Sequence, residues 1–165
     1  MYTDIYKQLR TKQELDELIY EIDILLESLY QTNGEAFDSI LKTKVRGKIF
    51  DIFSAAFSGG ADKKKYLLKL KENLSKTTYL NLVLAIEPSN DFLDRISFFV
   101  KKSISPDVVL DINYDPGILG GAVMIYQGNY RDFSFRKSFQ EEFARTRDKI
   151  FQTLEVKQID TNGKL

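Results

Sequence analysis

Histidine and cysteine are both missing from these 165 residues. Their absence removes His general bases, Cys nucleophiles, haem ligation through either side chain, and zinc sites of the usual nitrogen/sulfur type. It also excludes a disulfide scaffold, and says nothing further about redox compartment. No apolar run approaches the roughly 20 residues that a membrane-spanning helix needs. Met1-Tyr2-Thr3-Asp4 lacks the basic-then-apolar pattern of a signal peptide, so a cytoplasmic protein is expected. There is no P-loop, no Gly-rich fingerprint followed by an acidic residue at the right distance, and no metal-binding run, so no cofactor is expected. Basic and acidic residues balance at 24 each, which argues against a dominant nucleic-acid role.

What is present is enough for a real core: 43% of residues are hydrophobic and 13% aromatic, in a length that holds one domain or two small ones. Charge is unevenly placed. From Glu14 to Asp38 every charged residue is acidic; Lys42, Lys44, Arg46 and Lys48 follow, then Lys63, Lys64, Lys65, Lys69 and Lys71. The plain reading is neighbouring helix faces of complementary charge. The sharper one is a basic strip that meets an acidic partner or a phosphate backbone, with steep salt dependence in the second case.

Along the chain, Met1 to about Arg10 is a short amphipathic lead-in. Thr11-Lys12-Gln13-Glu14 is a capping box that starts a helix. Leu15, Leu18, Ile19, Ile22, Leu25, Leu26 and Leu29 then fall on one stripe, and Asn33-Gly34 reads as the stop. A second helix carries Phe37, Ile40, Leu41, Val45, Ile49, Ile52, Phe53 and Ala56 as far as Gly59-Gly60, with Gly47 inside it. Asp62 caps a third, with Leu67, Leu70 and Leu74 inward. The two long helices are expected to pack antiparallel with the third laid over them.

From Thr77 the pattern changes to a β-rich strand ending near Ile86. Pro88-Ser89-Asn90 opens a helix whose face is Phe92, Ile96, Phe99, Val100 and Ile104, and Ser105-Pro106 ends it. Val108, Leu110 and Ile112 alternate with Val109, Asp111 and Asn113 as in a half-buried strand. In Asp115-Pro116-Gly117, Pro116 presets the first central position of a turn, and Gly117 can take the positive φ that a type II turn needs next. Gly120 and Gly121 open an apolar run read as a buried strand, where a missing Cβ permits close backbone approach. Gly128 returns the chain, and Asp132 or Ser134 is placed to cap the last helix. That helix puts Phe135, Phe139 and Phe143 on one face, extended by Ile150 and Leu154. The expected fold is α+β: a helical bundle of three to four helices over residues 1–76, an α/β domain with a mixed three- to four-stranded sheet over 77–155, and a flexible tail over 156–165. The first two strands, joined through a helix, are expected parallel; the second and third, close in sequence, antiparallel.

The string Asp115, Pro116, Ile118, Leu119, Gly120, Gly121, Gly128, Asp132, Ser134 resembles the C-terminal signature of the delta subunit of F-type ATP synthases, the family of the oligomycin-sensitivity-conferring protein. The resemblance covers roughly Tyr79 to Phe143. Before that it is weak, because the family's N-terminal domain is a six-helix bundle. It implies a non-catalytic peripheral-stalk (stator) subunit that joins the catalytic head, through its alpha subunits, to the b-type stalk subunit and resists rotor torque. It implies a place on the membrane only indirectly, through the complex. Phe135, Phe139 and Phe143 are the expected anchors for the stalk subunit, although the same three residues would serve as the domain's own core. The E-type stalk subunit of archaeal or vacuolar rotary ATPases is the nearest alternative, but it has a long uninterrupted N-terminal helix. A helical adaptor or nucleic-acid-binding module using the lysine strip is a further class. An enzyme would have to rest on Asp107, Asp111, Asp115 and Asp132 as Mg²⁺ ligands, and solvation and turn chemistry explain Asp111 and Asp115 better.

Overall fold

A computed structural model describes residues 2–31 and 36–162. The order of elements is α1 (Thr3–Gln8), α2 (Lys12–Gln31), α3 (Phe37–Lys44), α4 (Gly47–Ser58), α5 (Lys63–Ser75), β1 (Tyr79–Leu84), α6 (Asn90–Ser103), β2 (Val109–Tyr114), a 3₁₀ turn (Pro116–Ile118), β3 (Ala122–Tyr126), β4 (Asn129–Asp132) and α7 (Phe135–Asn162). The fold is α+β, with helices first and then a four-stranded mixed sheet in the order β2-β1-β3-β4. The stop expected at Asn33-Gly34 lies outside the described residues, as do the side chains of Ile150 and Leu154. Helix α7 continues as far as Asn162, into the stretch expected to be a tail.

Residue contacts gather the chain into two units. The first joins Met1–Asn81 with Pro88–Ile112, and the second joins Leu82–Glu87 with Asn113–Leu165.

In the first unit the capping box forms as its spacing requires. The Glu14 N–H donates to Thr11 Oγ1 (3.3 Å), and the Thr11 N–H donates to Glu14 Oε2 (3.4 Å). Leu15, Leu18, Ile22 and Leu25 are fully buried on the resulting stripe. Helix α2 packs against α3 and α5, and α1 packs against α4. Phe37, Phe53, Leu67, Leu70 and Leu74 complete the core.

The second expected helix is two helices. Val45 leaves helical geometry (φ −92°, ψ 136°) and is buried; Arg46 is extended before α4 starts at Gly47. The reason is visible in the side chain of Arg46. It donates to the Glu14 carbonyl (2.7 Å) and to Glu17 (3.2 Å) on α2, which an unbroken helix would not bring within reach. With α1 also helical, five helices precede β1 among the described residues rather than three or four.

Two other expectations are corrected. Helix α6 buries Ser97 and Val100 and leaves Phe92 and Phe99 exposed, so its inward face is rotated from the aromatic one. Strand β2 does not simply alternate: Val108, Val109 and Leu110 are all buried. Val109 joins the helical core, and Leu110 is bridged to Thr11 with its N–H on the Arg10 carbonyl (2.9 Å).

Strands β2 and β3 are not neighbours, because β1 lies between them. Val109 N–H donates to the Thr78 carbonyl, and Asp115 N–H donates to the Leu84 carbonyl. The constant offset between donors and acceptors is the parallel pattern expected of strands joined through a helix. The antiparallel partner of β3 is instead β4, a four-residue strand that the sequence pattern did not separate from the turn after Gly128.

Candidate functional site

The second unit is built on the segment from Asp115 to Ser134. Asp115 Oδ1 accepts the Gly117 N–H (2.8 Å), and Pro116 supplies the φ that a helical first position needs. The result is one turn of 3₁₀ helix instead of a type II turn. Gly117 does not take a positive φ; the left-handed residues come later, at Leu119 (φ 63°), Gly120 (143°) and Gly121 (75°).

The glycine pair has a steric reason. A Cβ on Gly121 would lie 2.2 Å from the Phe133 carbonyl oxygen and 3.2 Å from Ser134 Cα. A Cβ on Gly120 would lie 2.6 Å from Cδ2 of Phe135. The chain entering α7 therefore closes directly on the glycine backbone. Phe135 N–H donates to the Gly120 carbonyl (3.0 Å), and Phe133 N–H donates to the Ala122 carbonyl (2.9 Å).

Strand β3 is half-buried, with Val123 as its buried residue, not the fully buried strand expected. It returns through Gln127 (φ 47°) and Gly128 (φ 79°) into β4, in the register Val123↔Asp132 to Tyr126↔Asn129. Two consecutive left-handed residues between paired strands match the right-handed twist of a hairpin. Both capping candidates act. Asp132 Oδ1 accepts the Ser134 N–H (2.9 Å), and Ser134 Oγ accepts the Lys137 N–H (3.2 Å) at the start of α7. The bonds from Ser134 hold the Asp132 carboxyl below its ordinary value, and Tyr130 adds a third.

This framework leaves its aromatic residues outside. Among the described residues, the second unit buries four large apolar side chains: Leu82, Leu84, Ile118 and Val123. It exposes eight: Ile86, Tyr114, Leu119, Tyr130, Phe133, Phe135, Phe139 and Phe143. Phe135, Phe139 and Phe143 are 55%, 53% and 72% exposed, so none of them is core. Phe135 rests on Gly120, while Phe139 and Phe143 form a tilted pair with centroids 6.5 Å apart. Periodicity placed these three on one face; Tyr130 and Phe133, on and after a strand too short to stand out in the sequence, were not anticipated as exposed.

The aspartates considered as metal ligands are engaged separately. Asp111 sits 3.6 Å from Lys12, Asp115 holds its own turn, and Asp132 holds the start of α7. Among the described residues no three acidic side chains converge as a metal site would require. No helix among them is long and apolar enough to cross a membrane.

No protein-family model matches the chain. Over 59 residues the sequence is 34% identical to ATP synthase subunit delta of Desulforapulum autotrophicum, a stretch that takes in 36% of this chain and 32% of that protein. The chain thus spans about a third of the relative it matches, and is similar over that stretch to a delta subunit of an ATP synthase.

Proposed function

We propose that this chain is a non-catalytic peripheral-stalk subunit of a rotary ATP synthase. The observation that carries the reading is the imbalance of the second unit, which among the described residues exposes twice as many large apolar side chains as it buries. Exposed large apolar side chains gathered on one helix face, as Phe139 and Phe143 are, mark an interaction surface. The stretch shared with a delta subunit supports placing the chain in an ATP synthase. In this reading Asp115, Pro116, Gly120, Gly121, Gly128, Asp132 and Ser134 form a rigid clasp. Phe135, Phe139 and Phe143 are the anchors for the apolar face of a helix of the b-type stalk subunit. The helical domain, residues 1–76, holds the alpha subunits of the catalytic head. The work is static resistance to torque, with attachment to the membrane only through the complex. The division of the helical region into α2 and four shorter helices favours this reading over the E-type stalk subunit.

The test is co-purification of the full chain with the soluble part of a b-type subunit. Stable association, lost in a Phe139→Ala/Phe143→Ala variant that keeps its circular dichroism, supports the assignment. Association unchanged by that variant removes these anchors, and no association removes the stator reading.

A further inference from the structure

Part of the lysine strip singled out in the sequence is engaged within the first unit, while Lys42, Lys44, Lys65 and Lys69 form no ion pair among the described residues. Lys63 pairs with Asp38 (3.0 Å), Lys71 pairs with Asp23 (2.5 Å), and Lys64 lies over the Tyr30 ring. The end of the strip at Arg46 and Lys48 behaves differently. It lines a cleft of about 850 Å³ between α1, the start of α4 and α6, where Lys7, Arg10, Lys101 and Lys102 join it. Two carboxylates, Glu14 and Asp94, share the same lining.

Three of the six cations have carboxylate partners. Lys7 pairs with Asp4; Arg10 pairs with Glu14 and Asp94; Arg46 pairs with Glu17 and lies 3.1 Å from Glu21, out of line for a hydrogen bond at Nε. The other three do not. Lys48 and Lys102 form no ion pair among the described residues. The Lys101 ammonium donates to the Tyr6 and Leu9 carbonyls, which orient it without neutralising it. Three ammonium groups without an ion-pair partner therefore line one cleft, Lys101 partly buried and Lys48 and Lys102 exposed at its edge, and a concave surface mostly of one sign raises the local concentration of anions. Burial of Lys101 lowers its pKa to about 8, against the pull of Glu14, with Arg10 adding to the drop and Asp107 opposing it. Apolar parts of the wall come from Leu9, Ile49, Pro106 and the Phe98 ring, which is 69% exposed, beside the polar Thr3, Gln8 and Ser97.

We propose that this cleft binds a phosphate-bearing small molecule of nucleotide size, its pyrophosphate group held by Lys48, Lys101 and Lys102 and its planar ring laid on Phe98. The volume fits a ligand of that class and is far larger than a lone phosphate needs. A nucleic-acid strand is the poorer fit, because two carboxylates, Glu14 and Asp94, interrupt the basic lining of the cleft. The proposal does not depend on the stalk reading.

The experiment is titration of the full chain with ADP, inorganic pyrophosphate and adenosine, followed by calorimetry and amide chemical shifts. Saturable ADP binding with shifts in α1, α4 and α6 is expected, with pyrophosphate weaker and adenosine weakest. Lys48→Ala/Lys102→Ala, both exposed and unpaired, weakens ADP and pyrophosphate at least about tenfold, as loss of two charge-assisted contacts should. Phe98→Ala weakens ADP and leaves pyrophosphate unchanged. ADP raises the Lys101 pKa, because an anion favours the charged form. No saturable response to ADP, or one indifferent to the lysine pair, overturns the proposal; so does equal affinity for ADP and pyrophosphate.

Discussion

Replacing Gly121 with alanine tests the steric account of the second unit. Two effects add. At φ 75° a side chain sits in left-handed backbone, which costs about 1–2 kcal/mol. The new methyl group would then lie 2.2 Å from the Phe133 carbonyl oxygen, a backbone atom tied through its own residue to Ala122. Relieving such overpacking costs typically about 1–3 kcal/mol. The sum, roughly 2–5 kcal/mol, is a large part of the total stability of about 5–15 kcal/mol usual for native proteins. Gly128 is the internal control. Its φ is 79°, but a Cβ there meets nothing within 4 Å, so Gly128→Ala should lose only the backbone part, about 1–2 kcal/mol. Gly47, first in α4 with no positive φ and open space around it, should gain up to about 1 kcal/mol on the same change. Urea unfolding, read by hydrogen exchange at β3 and β4 for the first two variants and at α4 for the third, gives the order directly. Gly121→Ala no more damaging than Gly128→Ala would refute the reasoning, because the contact with Phe133 would then have to yield freely.

Ser134→Ala removes the cap of α7 and should lower stability by about 1 kcal/mol, measured as a shift in the urea midpoint at constant slope. Phe139→Ala/Phe143→Ala, on an exposed face, should leave the midpoint of the isolated chain within about 0.5 kcal/mol of the parent. Asp132 is held below its ordinary pKa in the folded chain, so its contribution to stability is present at neutral pH and is lost as pH falls through the folded value, below 3.8. Asp132→Asn should flatten that acid limb in a pH series of midpoints. Lys101 gives the same slope in a higher window: between about 8 and 10.5 the folded chain binds fewer protons than the unfolded one, so the cost of burying this ammonium falls and stability rises with pH. Lys101→Met should abolish the rise.

Local chemistry was legible wherever one residue type has one job. The capping box at Thr11, the caps at Asp62 and Ser89, and the joint action of Asp132 and Ser134 all follow from side chains that bond backbone N–H groups two or three residues away. Non-local choices were not legible. The periodicity from Phe37 to Ala56 fits one helix, and the break at Val45 and Arg46 exists because Arg46 reaches α2, which no local pattern records. Sequence proximity suggested β2 beside β3, yet β1 takes the place between them. At the glycine pair, composition indicated a close approach but not what approaches; the Phe133 carbonyl and the Phe135 ring are the answer. For Phe135, Phe139 and Phe143 the helical spacing is equally good for core and for surface, and only their exposure separates the two.

The central claim is that the aromatic face on α7 exists for another polypeptide. Its most direct test is the affinity of the full chain for the soluble C-terminal segment of a b-type stalk subunit, measured beside Phe139→Ala/Phe143→Ala at matched stability. A saturable one-to-one complex that the double variant weakens at least about tenfold, the loss of 1.4 kcal/mol or more, is the predicted result. An affinity that the two substitutions leave unchanged would contradict it.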